Sequence, residues 1–108
     1  VQTCALPICH KACFPLALVE EGIKNFCPHG GKIIEPFGGT GTTLIAAEKL
    51  GCQSFVMELD PKYCDVIVTR WQCVSGGSAV LEATGQTFAG LSAERHDHGK
   101  PNRETETA

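Results

Sequence analysis

Three glycines and one carboxylate, Glu58, carry the chemistry that can be read directly from this chain. Gly38, Gly39 and Gly41 lie in residues 32–44, KIIEPFGGTGTTL, with Glu35 just before them and Glu58 farther on. Ile33 and Ile34 read as the end of a short buried strand, and Glu35-Pro36-Phe37 leads off its carboxyl edge. Glycines there let the backbone turn tightly without Cβ atoms in the way. Thr40, Thr42 and Thr43 suit the start of a following helix, whose first amides lack intrahelical partners and attract a nucleotide-like ligand. Glu58 follows Gly41 by seventeen residues. That is close to the ~20-residue separation at which a carboxylate after a second strand meets ribose hydroxyls.

Three kinds of site compete for such a turn. A triphosphate loop needs Gly-x-x-x-x-Gly-Lys-Ser/Thr, but Thr42 follows Gly41 and the next lysine is Lys49. A dinucleotide fingerprint needs Gly-x-Gly-x-x-Gly. Gly39 and Gly41 supply the first pair, while Leu44 stands where the third glycine allows close helix–strand contact. An adenosine ligand without a pyrophosphate needs only the turn and the ribose carboxylate, and that class remains.

The elements that must position these residues follow from the apolar pattern. Pro15 opens a helix over 15–26 with Leu16, Val19, Ile23 and Phe26 on one side, and Pro28-His29-Gly30-Gly31 ends it. A second helix spans 42–50, with Leu44, Ala47 and Leu50 toward the sheet and Gly51 at its end. Residues 53–57 read as a second strand covered on both faces. Asp60-Pro61 starts a third helix to Val74, with Tyr63, Val66, Ile67, Arg70/Trp71 and Val74 along one stripe. Ser75-Gly76-Gly77 breaks it, and 79–81 is a short strand candidate. Residues 1–9 read as a non-native-looking or disordered leader, 10–92 as the folded part, and 93–108 as a disordered polar tail. The alternation predicts an α/β fold with a parallel sheet and flanking helices, part of a larger doubly wound domain.

Bulk properties narrow the function. The 108 residues amount to one domain or part of one, and the net charge of −3 offers no general attraction to nucleic acid. No apolar run reaches the ~18 residues of a membrane span, and no secretion signal is visible, so the cytoplasm is the default. Seven cysteines (4, 9, 13, 27, 52, 64 and 73) are many for this length. Their odd number and apolar settings favour small buried thiols at Cys27, Cys52, Cys64 and Cys73 over a disulfide framework. Cys9, His10, Cys13, Cys27 and His29 match no tight zinc spacing, and no metal ligand is assigned.

Glu35–Thr43 (EPFGGTGTT), then Ala46-Ala47-Glu48, then Glu58–Tyr63 (ELDPKY) together resemble the cofactor-binding part of the DNA adenine-N6/cytosine-N4 methyltransferases. The likeness is strongest to the subclass whose catalytic motif precedes the cofactor motifs, and it covers about residues 15–81. The resemblance implies a Rossmann-like fold and S-adenosyl-L-methionine as cofactor. The implied cofactor-binding residues are His10, Glu35, Phe37, Gly38, Gly39, Thr40, Gly41, Thr42 and Glu58. In that reading Phe37, Gly39 and Gly41 line the ligand and Glu58 holds its ribose. His10 and Pro15 remain from a His-Pro-Thr-x-Lys-Pro segment at the methionine end, and Glu35 replaces the usual aspartate. The catalytic Asp/Asn/Ser-Pro-Pro-Tyr/Phe/Trp motif is absent from these residues, so no catalytic residue is assigned. The expectation is the methyl-donor half of a site, in a parent that methylates double-stranded DNA, with the fragment itself inactive. A different class, a non-catalytic fragment that needs a second copy or a completing partner for its sheet, stays open.

Overall fold

The computed structural model describes residues 15–98. Contacts divide the chain into a unit ending at Gly77 and another beginning at Ser78. The first unit runs α1 (Leu16–Phe26), β1 (Lys32–Glu35), α2 (Thr42–Lys49), β2 (Gln53–Val56) and α3 (Pro61–Ser75).

The two strands pair in parallel, with Lys32 opposite Gln53 and Glu35 opposite Val56. Their ladder continues beyond the strands, since Met57 N donates to the Glu35 carbonyl and Gly38 N to the Met57 carbonyl, both at 2.8 Å. The first residues of the glycine turn are thus still tied to β2. An α/β arrangement of a parallel sheet and flanking helices is what the sequence predicts.

The core lies between α1, α2 and the sheet. Ile23, Ala46 and Ala47 are buried there, with Leu16, Val19, Ile33, Leu50 and Cys52 packed around them. Alanines at 46 and 47 let α1 approach α2 closely. The buried side of α2 is therefore Ile45, Ala46 and Ala47, and Leu44 and Leu50 are only half-buried. Of the predicted Leu44/Ala47/Leu50 face, Ala47 and Leu50 pack on the core as expected, and Leu44 does not. Phe26 is also displaced from its predicted place, being 90% exposed at the end of α1.

The larger correction concerns β2, for which the sequence predicts cover on both faces. Side chains alternate across a strand, and here Ile33, Glu35, Ser54, Val56 and Glu58 are half-buried on one face. Ile34, Phe55 and Met57 stand exposed on the other, at 77%, 49% and 66%. Within the first unit α2 packs on the sheet from the first face.

Asp60 caps α3 by accepting from Lys62 N at 2.9 Å, with Pro61 at the first helical position. Gly76 ends that helix in the left-handed conformation. Tyr63 and Trp71, expected in the core, are half-buried. Cys73, expected as a buried thiol, is exposed and takes part in a disulfide. It lies about 240° around α3 from the buried Ile67 at ~100° per residue, which puts it on another side of the helix.

In the second unit a hairpin forms around the bridge between Val80 and Thr87, followed by α4 (Phe88–His98). The predicted strand at 79–81 is reduced to that bridge. The disordered tail predicted from residue 93 is helical through His98. Gln86 Nε2 donates to the Glu94 carboxylate at 3.2 Å, a contact that ties α4 back to the hairpin. The predicted leader and residues 99–108 of the predicted tail lie outside the described residues. No helix among the described residues is long and apolar enough to cross a membrane.

Candidate functional site

The site forms where β1 and β2 end on the same edge. Glu35 closes β1 and turns its carboxylate onto the loop, where it accepts from Phe37 N at 2.9 Å and from the Thr43 hydroxyl at 3.2 Å. One side chain thereby fixes the exit from the strand and the first turn of α2. Glu58 does the corresponding work from β2. Its Oε2 accepts from Gly39 N at 2.6 Å and its Oε1 from Asp60 N at 3.0 Å. The turn and the second carboxylate, read in the sequence as two parts of one site, are in direct contact.

Glycine is required in this turn for different reasons at each position. A Cβ on Gly38 would lie 2.5 Å from Val56 Cγ1 and 3.1 Å from both Ile67 Cδ1 and the Met57 carbonyl oxygen. Gly41 has φ +85° and would press a Cβ to 3.1 Å from Ile67 Cγ1. Gly39 has φ +55°, but a Cβ there would meet nothing within 4 Å. So Gly38 and Gly41 face α3 and β2, and Gly39 faces open space. Gly41 N closes the turn on the Gly38 carbonyl at 2.9 Å, and Ile45 N begins the helix on the Gly41 carbonyl at 3.0 Å.

Two residues outside the predicted set complete the frame. Arg70, half-buried on α3, donates from Nη1 to the Thr40 carbonyl at 2.6 Å. Thr43 engages Glu35 as described above. A sequence signal existed for Arg70: it is a cation within an otherwise apolar helical stripe. Among the predicted site residues, Glu35, Gly38, Gly39, Thr40, Gly41, Thr42 and Glu58 are gathered at this edge, and Thr40 and Gly41 are buried. Phe37 is there too, with its ring 85% exposed. His10 lies outside the described residues, as do Cys9 and Cys13. Among the described residues no group of three or more His, Cys, Asp or Glu side chains is placed to hold a metal ion.

The residues present suit an adenosine-bearing ligand. Two amides fix the orientation of the Glu58 carboxylate beside the turn. The open side of Gly39 leaves room for close approach, and the Phe37 ring is available for stacking. α2 begins at Gly41 without a side-chain cap. A separate groove of about 570 Å³ lies between α2, β2 and α3, lined by Leu44, Glu48, Ser54 and Trp71 among others. At its rim Trp71 Nε1 donates to Glu48 Oε2 at 3.2 Å.

Comparison with known proteins fits this arrangement. The sequence profile of the N6/N4 family, described as DNA methylase, matches residues 5–69. The chain belongs to the N6/N4 DNA methylase family. The type II methyltransferase M.ScaI of Streptomyces caespitosus is 43% identical over 61 residues, which cover 56% of this chain and 20% of that protein. M.MthZI of Methanothermobacter thermautotrophicus, also a type II methyltransferase, is 39% identical over 59 residues, 55% of this chain and 17% of its own length. A candidate DNA modification methylase from Thermus thermophilus, solved in complex with S-adenosyl-L-methionine, superposes with a TM-score of 0.56 at 39% identity. That match covers 59% of this chain and 27% of the Thermus chain. This N6/N4 methylase chain therefore spans between 17% and 27% of the length of these relatives.

Proposed function

We propose that this chain is the S-adenosyl-L-methionine-binding part of a DNA methyltransferase acting on the exocyclic amine of adenine (N6) or cytosine (N4). The observation that carries the proposal is the contact between Gly39 N and the Glu58 carboxylate, which joins the glycine turn to the acid after β2. Glu58 would hold the ribose hydroxyls, and Phe37 would pack beside the ligand. Glu35, Gly38, Gly39, Thr40, Gly41 and Thr42 would shape the turn, with His10 at the methionine end. When bound, the cofactor supplies an electrophilic methyl group. These residues bind and orient it and offer nothing that extracts a base from a duplex, which costs a few kcal/mol. The 108 residues alone are therefore expected to transfer no methyl group. Double-stranded DNA would be engaged by the full-length parent.

Calorimetric titration of the chain with S-adenosylmethionine, its demethylated product S-adenosylhomocysteine, ATP and NAD tests this. The first two should bind and the others should not compare. Glu58→Ala should weaken product binding by about 1.5–3 kcal/mol, the worth of a charge-assisted hydrogen bond. ATP binding as tight as that of the product would refute the proposal.

A second reading rests on Ile34, Phe55 and Met57, exposed together on one sheet face. A face of this kind invites association. The fragment would then be a structural piece completed by a second copy or by a partner chain. Ultracentrifugation with and without the product separates the two. An oligomer that forms without ligand and binds none would favour the second reading.

A further inference from the structure

We propose that Arg70 is a positioning residue for the glycine turn, holding the loop in its ligand-ready conformation from behind. This rests on the reading of the turn as the cofactor site and deepens it. Consecutive glycines have little intrinsic preference and lose much conformational freedom on folding. Something other than their own side chains must select one geometry.

Around the two positive-φ glycines, the peptide groups are pinned from both sides. The Gly38–Gly39 peptide has its N–H held by Glu58 Oε2 at 2.6 Å and its carbonyl by Gly41 N at 2.9 Å. The Thr40–Gly41 peptide has its N–H on the Gly38 carbonyl at 2.9 Å and its carbonyl on Arg70 Nη1 at 2.6 Å. Arg70 is thus the anchor on the α3 side, as Glu58 is on the β2 side. One helical turn earlier, Ile67 occupies the space that a Cβ on Gly38 or Gly41 would need. α3 therefore presents a shaped surface and a cation to the back of the loop.

A guanidinium is a cationic donor, so its bond to the carbonyl is charge-assisted and stronger than a neutral one. It also fixes which way the Thr40–Gly41 peptide points. Gly41 is the N-cap of α2, so a flip of that peptide would change the direction of the first helical turn. Arg70 acts on the ligand through the loop.

The test uses ¹⁵N-labelled 108-residue chain as wild type, Arg70→Met and Arg70→Lys. Amide spectra of the free protein read the loop directly, and calorimetry reads S-adenosylhomocysteine affinity. Arg70→Met should move or broaden the Gly39, Thr40 and Gly41 amides while leaving Ile23 and Ile33 in place. It should weaken product binding by about tenfold. Arg70→Lys, which keeps a charged donor, should recover at least half of the lost affinity on a logarithmic scale. Unmoved Gly39–Gly41 amides with wild-type affinity would overturn the proposal. So would shifts spread equally over α1 and β1, because those would report general destabilisation. If wild type binds no product, the cofactor reading fails, and the free-protein spectra still decide the Arg70 claim by the same criteria.

Discussion

Gly38→Ala isolates the packing demand of the turn from its conformational demand. The added methyl would sit 2.5 Å from Val56 Cγ1, where carbon atoms prefer about 3.5–4.0 Å. The overlap of about 1 Å or more cannot be relieved cheaply, because valine is stiff at χ1 and the Met57 carbonyl lies 3.1 Å away on the backbone. Overpacking of this kind costs about 1–3 kcal/mol. If the loop lifts, the 2.8 Å bond from Gly38 N to Met57 is weakened as well, adding about 1 kcal/mol. Gly39→Ala meets no atom within 4 Å and has only its φ of +55° to contend with, worth about 1–2 kcal/mol. Urea denaturation followed by far-ultraviolet circular dichroism measures both. With a slope of about 2 kcal/mol per molar, a loss of about 1–3 kcal/mol, or about 1 kcal/mol more if the loop lifts, should lower the Gly38→Ala midpoint by about 0.5–2 M. Gly39→Ala should lower it by less, while harming ligand binding more. Adding Val56→Ala to Gly38→Ala should restore part of the loss, a non-additivity expected of atoms in contact. A Gly38→Ala midpoint equal to wild type, or no recovery in the double variant, would refute the reasoning.

Asp60→Ala removes the N-cap of α3, with its 2.9 Å bond to Lys62 N, and should cost about 1 kcal/mol in the same denaturation assay. The Cys27 thiol lies 3.7 Å from the Cys52 sulfur, and burial, then the hydrogen bond and charge of Cys52, push it above its ordinary value of 9.0. The folded state therefore keeps a proton that the unfolded state releases first, so stability should fall as pH rises past 9.0. Denaturation midpoints in reductant at neutral and alkaline pH should drop more for wild type than for Cys27→Ala, and equal drops would contradict the assignment.

The sequence made the order of elements and the composition of the turn legible, because strand, glycine run and capped helix each have local chemistry. It also brought Glu58 to the right edge, since a carboxylate just past a parallel strand has one place to go. Other features depended on what packs against what. Which face of α2 is buried was decided by the close approach of α1 at Ala46 and Ala47, which periodicity does not encode. The apolar run at Phe55–Met57 suggested two covered faces, because composition reports what a strand tolerates rather than what is present to cover it. Arg70 was visible as a cation in an apolar stripe, yet its role needed the position of the Thr40 carbonyl. The helix Phe88–His98 has no sequence signature of its own, because its apolar residues are few and it packs largely exposed.

Whether the turn and Glu58 hold the cofactor is decided by where the ligand binds. ¹⁵N–¹H spectra of the 108-residue chain titrated with S-adenosylhomocysteine map it residue by residue. Saturable shifts should centre on the amides of residues 37–43 and 58–60 and be lost in Glu58→Ala. Shifts centred instead on Gln53, Ser54, Val68 and Trp71, which line the groove between α2 and α3, or no saturable shifts at all, would contradict the cofactor assignment.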